Sequence, residues 1–128
     1  MNRIFSLIFL LLLSQVSYSS CFDVSVSINE NTPDGKTWDG NGGLPDLKAC
    51  FSDEWGYRCK VKNKTEPYCK DSLNCDLGVV YFIGAHTEVE LTDIDLNNDD
   101  PIASKSCGVG ASCNLGNAFV VFEKASCE

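Results

Sequence analysis

Eight cysteines constrain this chain more than any other feature: Cys21, Cys50, Cys59, Cys69, Cys75, Cys107, Cys113 and Cys127. They stand behind a leader-like stretch. Met1-Asn2-Arg3 is a short basic start, Ile4 to Leu13 is apolar apart from Ser6, and residues 15–20 are small and mostly polar. That is the layout of a secretory signal peptide, so residues 1–20 are expected to be a leader and residues 21–128 a single secreted domain. The apolar run is about half the roughly 20 residues that a bilayer-spanning helix needs, and no transmembrane segment is expected. In a bacterial source the same leader would deliver the domain to the periplasm, with Cys21 where a lipid anchor would attach. Eight cysteines in an oxidising compartment read as four disulfides, drawn from about a hundred connectivities.

Position along the chain suggests how they pair. Cys69 and Cys75, and likewise Cys107 and Cys113, bracket short loops. Cys50 and Cys59 flank a turn-rich stretch and could cross-link a hairpin, which leaves Cys21 and Cys127 to tie the ends together. Zinc is a poor alternative, because there is no C-x-x-C and the only histidine is His86. His86 itself reads as a surface turn residue.

The cysteines staple a chain that still has apolar material for a core: 44% of residues are hydrophobic and 10% aromatic, which argues against disorder. The apolar residues follow a period of two. Asp23–Ile28 and Glu88–Thr92 alternate, Leu47–Phe51, Arg58–Lys64 and Phe119–Phe122 are further short strands, and Val79–Ile83, apolar throughout, is expected to be a buried strand. Residues 29–43, 69–78 and 93–101 read as loops, being dense in Asn, Asp, Gly and Pro. No window shows helical periodicity. About six or seven short strands between turn-rich loops predict an all-β sandwich.

Charge narrows the partners. Eighteen Asp and Glu face ten Lys and Arg, and Arg3 lies in the leader. Such a surface excludes nucleic acid, whose affinity comes from cations that neutralise phosphates. It also opposes simple electrostatic docking on an anionic membrane. The acids are gathered rather than spread: Asp34, Asp39 and Asp46 fall in one loop, Asp93, Asp95, Asp99 and Asp100 in another. Loops at one end of a sandwich converge, and carboxylates gathered there either spread into solvent or share a cation. Calcium suits them, taking six to eight hard oxygen ligands from loosely defined loops. The bland alternative is that Asp is simply a good turn former.

Three segments in order resemble the C2 domain family of calcium- and lipid-binding β-sandwiches. Trp38-Asp39-Gly40-Asn41-Gly42-Gly43-Leu44-Pro45-Asp46-Leu47-Lys48 is similar to the family's first calcium loop. Lys60-Val61-Lys62-Asn63-Lys64-Thr65-Glu66-Pro67-Tyr68 resembles its lysine-rich strand. Val89-Glu90-Leu91-Thr92-Asp93-Ile94-Asp95-Leu96-Asn97-Asn98-Asp99-Asp100-Pro101-Ile102 resembles its third calcium loop. The likeness runs from about residue 23 to 103. It departs at Ala103, where the family has Gly, and at Leu47-Lys48, where Pro-Tyr is usual, and the cysteines are not a general family feature.

The resemblance implies an antiparallel eight-stranded C2-like β-sandwich, here stabilised by disulfides. It implies Ca2+ ligands at Asp39, Asp46, Asp93, Asp95 and Asp100, with Asp99 in reserve, and contact with a phospholipid surface through Leu44, Leu96, Lys60 and Lys62. Trp38 is expected to pack under its loop. Asn63-Lys64-Thr65 matches the N-glycosylation pattern, and a glycan there would block the lysine face. The expected function is a secreted, non-catalytic calcium-binding module acting on membrane surfaces. The alternative is a calcium-independent structural or protein-binding domain with an extracellular protein partner. A calcium-dependent secreted phospholipase is disfavoured, because neither its Cys-Cys-x-x-His arrangement nor a helix to carry it is present.

Overall fold

A computed structural model describes residues 19–38, 43–60, 68–95 and 99–127. Its described residues form two antiparallel four-stranded sheets and no helix. The strands are β1 (Ser19–Ile28), β2 (Leu47–Asp53), β3 (Gly56–Lys60), β4 (Asn74–Ile83), β5 (His86–Asp93), β6 (Asp100–Gly108), β7 (Cys113–Asn114) and β8 (Ala118–Lys124). One sheet has the order β4-β1-β8-β7, the other β3-β2-β5-β6. Residues 1–18, the bulk of the expected leader, lie outside the described residues.

Alternation decides what each strand buries. Along β1, Val24, Val26 and Ile28 face inward while Asp23, Ser25 and Ser27 face out. Leu47, Ala49 and Phe51 of β2 and Val89 and Leu91 of β5 supply the opposing layer, all fully buried. Phe82 of β4 meets Phe51 edge-on at 5.4 Å between ring centres and Phe122 of β8 at 5.6 Å. These edge-on contacts are the favoured aromatic geometry, and the Phe51–Phe82 pair joins the two sheets.

The strand β4 differs from expectation in two ways. It begins at Asn74, inside the expected loop, and it is an edge strand rather than a buried one. Cys75 and Leu77 point inward, and so do Val80 and Phe82, which breaks a strict period of two. Gly78, at φ +74°, sits where the β1–β4 register shifts. A glycine in that left-handed region makes a bulge and flips the parity. Val79, Tyr81 and Ile83 then face outward, with Val79 45% exposed.

The open edge of β4 is closed near its end by an ion pair from the β2–β3 hairpin. Asp53 accepts a hydrogen bond from the Ile83 N–H at 3.1 Å, and Arg58 donates to the Tyr81 carbonyl. Asp53 and Arg58 pair through two contacts, at 2.9 and 3.1 Å. Acid and base together do what a neighbouring strand would do. Burial opposes the charge on Asp53, but the Arg58 guanidinium and the N–H groups of Trp55 and Ile83 outweigh it and hold the carboxyl below its ordinary value.

Four disulfides complete the frame: Cys21–Cys127, Cys50–Cys59, Cys69–Cys75 and Cys107–Cys113. These are the pairings that position suggested. Cys50–Cys59 crosses the β2–β3 hairpin, and Cys107–Cys113 joins β6 of one sheet to β7 of the other. Cys21–Cys127 closes a separation of 106 residues, worth about 4.7 kcal/mol in the chain-entropy account. Four such bonds suit an oxidising compartment. Among the described residues no helix is long and apolar enough to cross a membrane.

Candidate metal centre

The antiparallel pairing of β2, β5 and β6 brings the acidic loops to one end. β5 ends at Asp93, directly opposite Leu47 at the start of β2 and Asp100 at the start of β6. Asp93 and Asp95 are two residues apart where the chain leaves β5, and cross-strand pairing carries Asp100 to Asp93. One carboxylate oxygen from each of Asp93, Asp95 and Asp100 lies within 4.8 Å of the others.

Asp93 is fully buried, which is unusual for an acid. One of its oxygens accepts the Asp46 N–H at 2.8 Å, and the Ile94 N–H donates back to the Asp46 carbonyl at 2.8 Å. The end of β5 is thus fastened to the exit of the first acidic loop. Asp95 is partly buried and Asp100 exposed, so the group runs from the interior of the sandwich to its surface. The Asp95 N–H donates to Asp99 at 3.2 Å; Asp99 therefore braces the loop from outside the group of three.

Asp46 lies beside the group through its backbone. Its carboxylate accepts the Asp71 N–H at 2.8 Å. Asp71, at φ +48°, belongs to the loop stapled by Cys69–Cys75, and Asp tolerates that left-handed conformation better than most residues. Further bonds lace this loop to the same place: Leu47 and Cys69 bridge, and the Ser72 N–H reaches the Pro45 carbonyl at 3.1 Å. The sequence reads this stretch as a loop stapled by Cys69 and Cys75, and its link to Asp46 is not among the expected contacts of the site.

The remaining expected residues divide. Asp39, Leu96, Lys62 and Asn63 lie outside the described residues. Lys60 ends β3, partly buried, opposite Ala49. Leu44 is exposed next to buried Pro45. Trp38 is buried and its indole N–H donates to the Asn29 carbonyl at 2.7 Å, so it packs under the loop as expected. His86 is exposed at the first position of β5.

A second acidic group, which sequence reading did not single out, stands on the outer face of the other sheet. Asp23 of β1 is opposite Glu123 of β8, and Asp76 of β4 is opposite Ser25. A hydrogen bond shared with Asp76, then partial burial and the charges of Asp76 and Glu123, push the Asp23 carboxyl above its ordinary value. The N–H of Gly78 and the Asp23 bond lower that of Asp76.

No family model matches the chain, and no curated protein matches it either.

Proposed function

We propose that the chain is a secreted, non-catalytic calcium-binding module whose acidic end contacts phospholipid surfaces when loaded. The observation that carries this reading is the approach of Asp93, Asp95 and Asp100 to within 4.8 Å. A calcium ion holds its oxygens at 2.3–2.6 Å, so any two ligands lie within about 5 Å of each other. The three acids meet that limit, and hard carboxylate oxygens are the donors calcium takes. Asp93, Asp95 and Asp100 would hold the ion, with Asp46 and Asp39 as the expected contributors from the first loop. Calcium neutralises part of the negative end and so removes the repulsion that opposes anionic headgroups. The C2-like segments and the all-β sandwich support the same reading, and the disulfides fit a secreted protein.

Affinity suited to a calcium-rich exterior is on the order of 10⁻⁴ to 10⁻³ M, as for other extracellular modules. The test is calorimetric titration of calcium into wild type and an Asp93→Ala/Asp95→Ala double variant, followed by co-sedimentation with phosphatidylserine vesicles. Binding that is lost in the double variant supports the site. Equal heats from both proteins place calcium elsewhere, and vesicle binding that is unchanged by chelator removes the membrane role.

A further inference from the structure

The outer face of the β4-β1-β8-β7 sheet carries an apolar strip that folding leaves partly exposed. Trp55 at the tip of the β2–β3 hairpin is 57% exposed. Its ring meets Tyr81 edge-on at 5.0 Å between centres, and the Arg58 guanidinium lies 4.9 Å from its ring centre. Arg58 is itself bound to Asp53, so the indole is held by groups that are already fixed. Val79 continues the strip two residues along β4, on the same face as Tyr81 and nearly half exposed.

Beside the strip stand Asp23, Asp76 and Glu123. β1 and β4 contain no Lys or Arg, and β8 has only Lys124, at its last position. The face therefore joins exposed aromatic and aliphatic surface to three carboxylates without cations among them. The Trp55–Tyr81 and Trp55–Arg58 contacts use only part of this surface. The apolar area that stays exposed on Trp55 and Val79 adds nothing to stability, and neighbouring carboxylates repel.

We propose that this face docks a basic segment of a partner protein. Arginine or lysine head groups would pair with Asp23, Asp76 and Glu123, while their aliphatic stems and an apolar neighbour cover Trp55, Tyr81 and Val79. Charge complementarity selects this occupant. An anionic lipid surface meets three like charges, and a neutral sugar leaves their repulsion in place. Val79 and Tyr81 are about 7 Å apart along the strand, and β4 and β8 flank β1 at roughly 5 Å each. A patch of that size admits two or three basic side chains and fits a transient interaction. Apart from Trp55, it stands on the opposite sheet from β2, β5 and β6, which carry the calcium reading, and it does not depend on that reading.

The Asp23 carboxyl is raised first by its hydrogen bond with Asp76 and by partial burial, and the charges of Asp76 and Glu123 add to this. A bound cation restores Asp23 to the ionised form, so binding weakens as pH falls through its raised value.

The test uses an eight-residue peptide of alternating arginine and leucine with the mature protein in chelator, followed by NMR. The expected result is movement of the Trp55 and Tyr81 side-chain signals with Trp38 still. Trp55→Ala should weaken binding about fivefold or more, and Asp23→Asn with Glu123→Gln should do so comparably. Asp34→Asn, which removes an exposed loop acid, should leave binding near wild type. Trp55 is mostly exposed, so its truncation leaves the fold intact, and the charge variant keeps every side chain's shape. The proposal is overturned if the peptide does not bind at millimolar concentration or if the variants bind it like wild type. It is also overturned if a glutamate–leucine peptide, a phosphatidylcholine vesicle or a neutral oligosaccharide moves the Trp55 signals more.

Discussion

Among the described residues two acidic groups of three stand out, and they are built differently. Asp93, Asp95 and Asp100 sit where strands end, and Asp93 is fully buried and bonded to the backbone of a neighbouring loop. Asp23, Asp76 and Glu123 lie on the outer face of a sheet, spread over three strands, with Asp23 and Asp76 close enough to share a hydrogen bond. Strand ends allow oxygens to point inward at one place; a pleated face directs them outward in parallel. The first arrangement suits a small ion with many ligands, the second an extended partner with several charges. Count and sign of charge are the same in both, so geometry carries the distinction.

The largest expected effect separates them by calcium response. If calcium occupies the loop group, 10 mM calcium should stabilise wild type by about 1.4–2.7 kcal/mol, roughly 5–10 °C in melting temperature, for the affinity range proposed. Asp95→Ala and Asp100→Ala should each remove most of that rise, whereas Asp23→Asn and Asp76→Asn should keep it. Melting curves with calcium and with chelator read both.

Next in size is the cost of truncation without calcium. Asp93→Ala deprives the Asp46 N–H of its acceptor inside the sandwich, a loss of about 1–3 kcal/mol in denaturant unfolding. Asp23→Ala takes a repelling charge from a surface and should cost much less. Equal losses at the two positions would erase the contrast in burial.

Acid titration sharpens the comparison through Asp53, the buried acid that does have a cation. Its folded carboxyl is held below the ordinary value, so its contribution is present above that value and is lost as pH falls through the folded one. Asp53→Asn should flatten the acid limb of the stability curve. An acid limb unchanged in that variant would show that Arg58 and the two N–H groups do not hold the charge.

Asp23 runs the other way and is the smallest effect. Its folded carboxyl is raised, so the stability it gives is complete below the ordinary carboxylate range and is lost as pH rises through the raised value. The lowered carboxyl of Asp76 offsets part of this. Asp23→Asn should therefore melt slightly higher than wild type at pH 7 and like wild type at pH 3.

Much of this was legible in the sequence, for physical reasons that can be named. The strand β1 alternates cleanly, and Cys69–Cys75 and Cys107–Cys113 are close enough along the chain to be local staples. The acids at 93 and 95 share a strand-like spacing. The strand β6 was hidden because it is an edge strand with exposed Pro101, Ser104, Lys105 and Ser106, and edges are blunted with such residues. A bulge between Leu91 and Thr92 also shifts its register. The bulge at Gly78 was hidden for a related reason: five apolar residues in a row carry no alternation, so Val79–Ile83 could not reveal which of them would face out. The link from Asp71 to Asp46 runs from a backbone N–H to a side-chain carboxylate across 25 residues, and no local pattern encodes it.

The most direct measurement of the central claim is a calcium titration followed by the NMR signals of both acidic groups at once. The signals of Asp93, Asp95 and Asp100 should shift saturably, with a midpoint on the order of 10⁻⁴ to 10⁻³ M, while those of Asp23, Asp76 and Glu123 stay in place. Shifts that are absent at the loop group, or equal at the two groups, would contradict that claim.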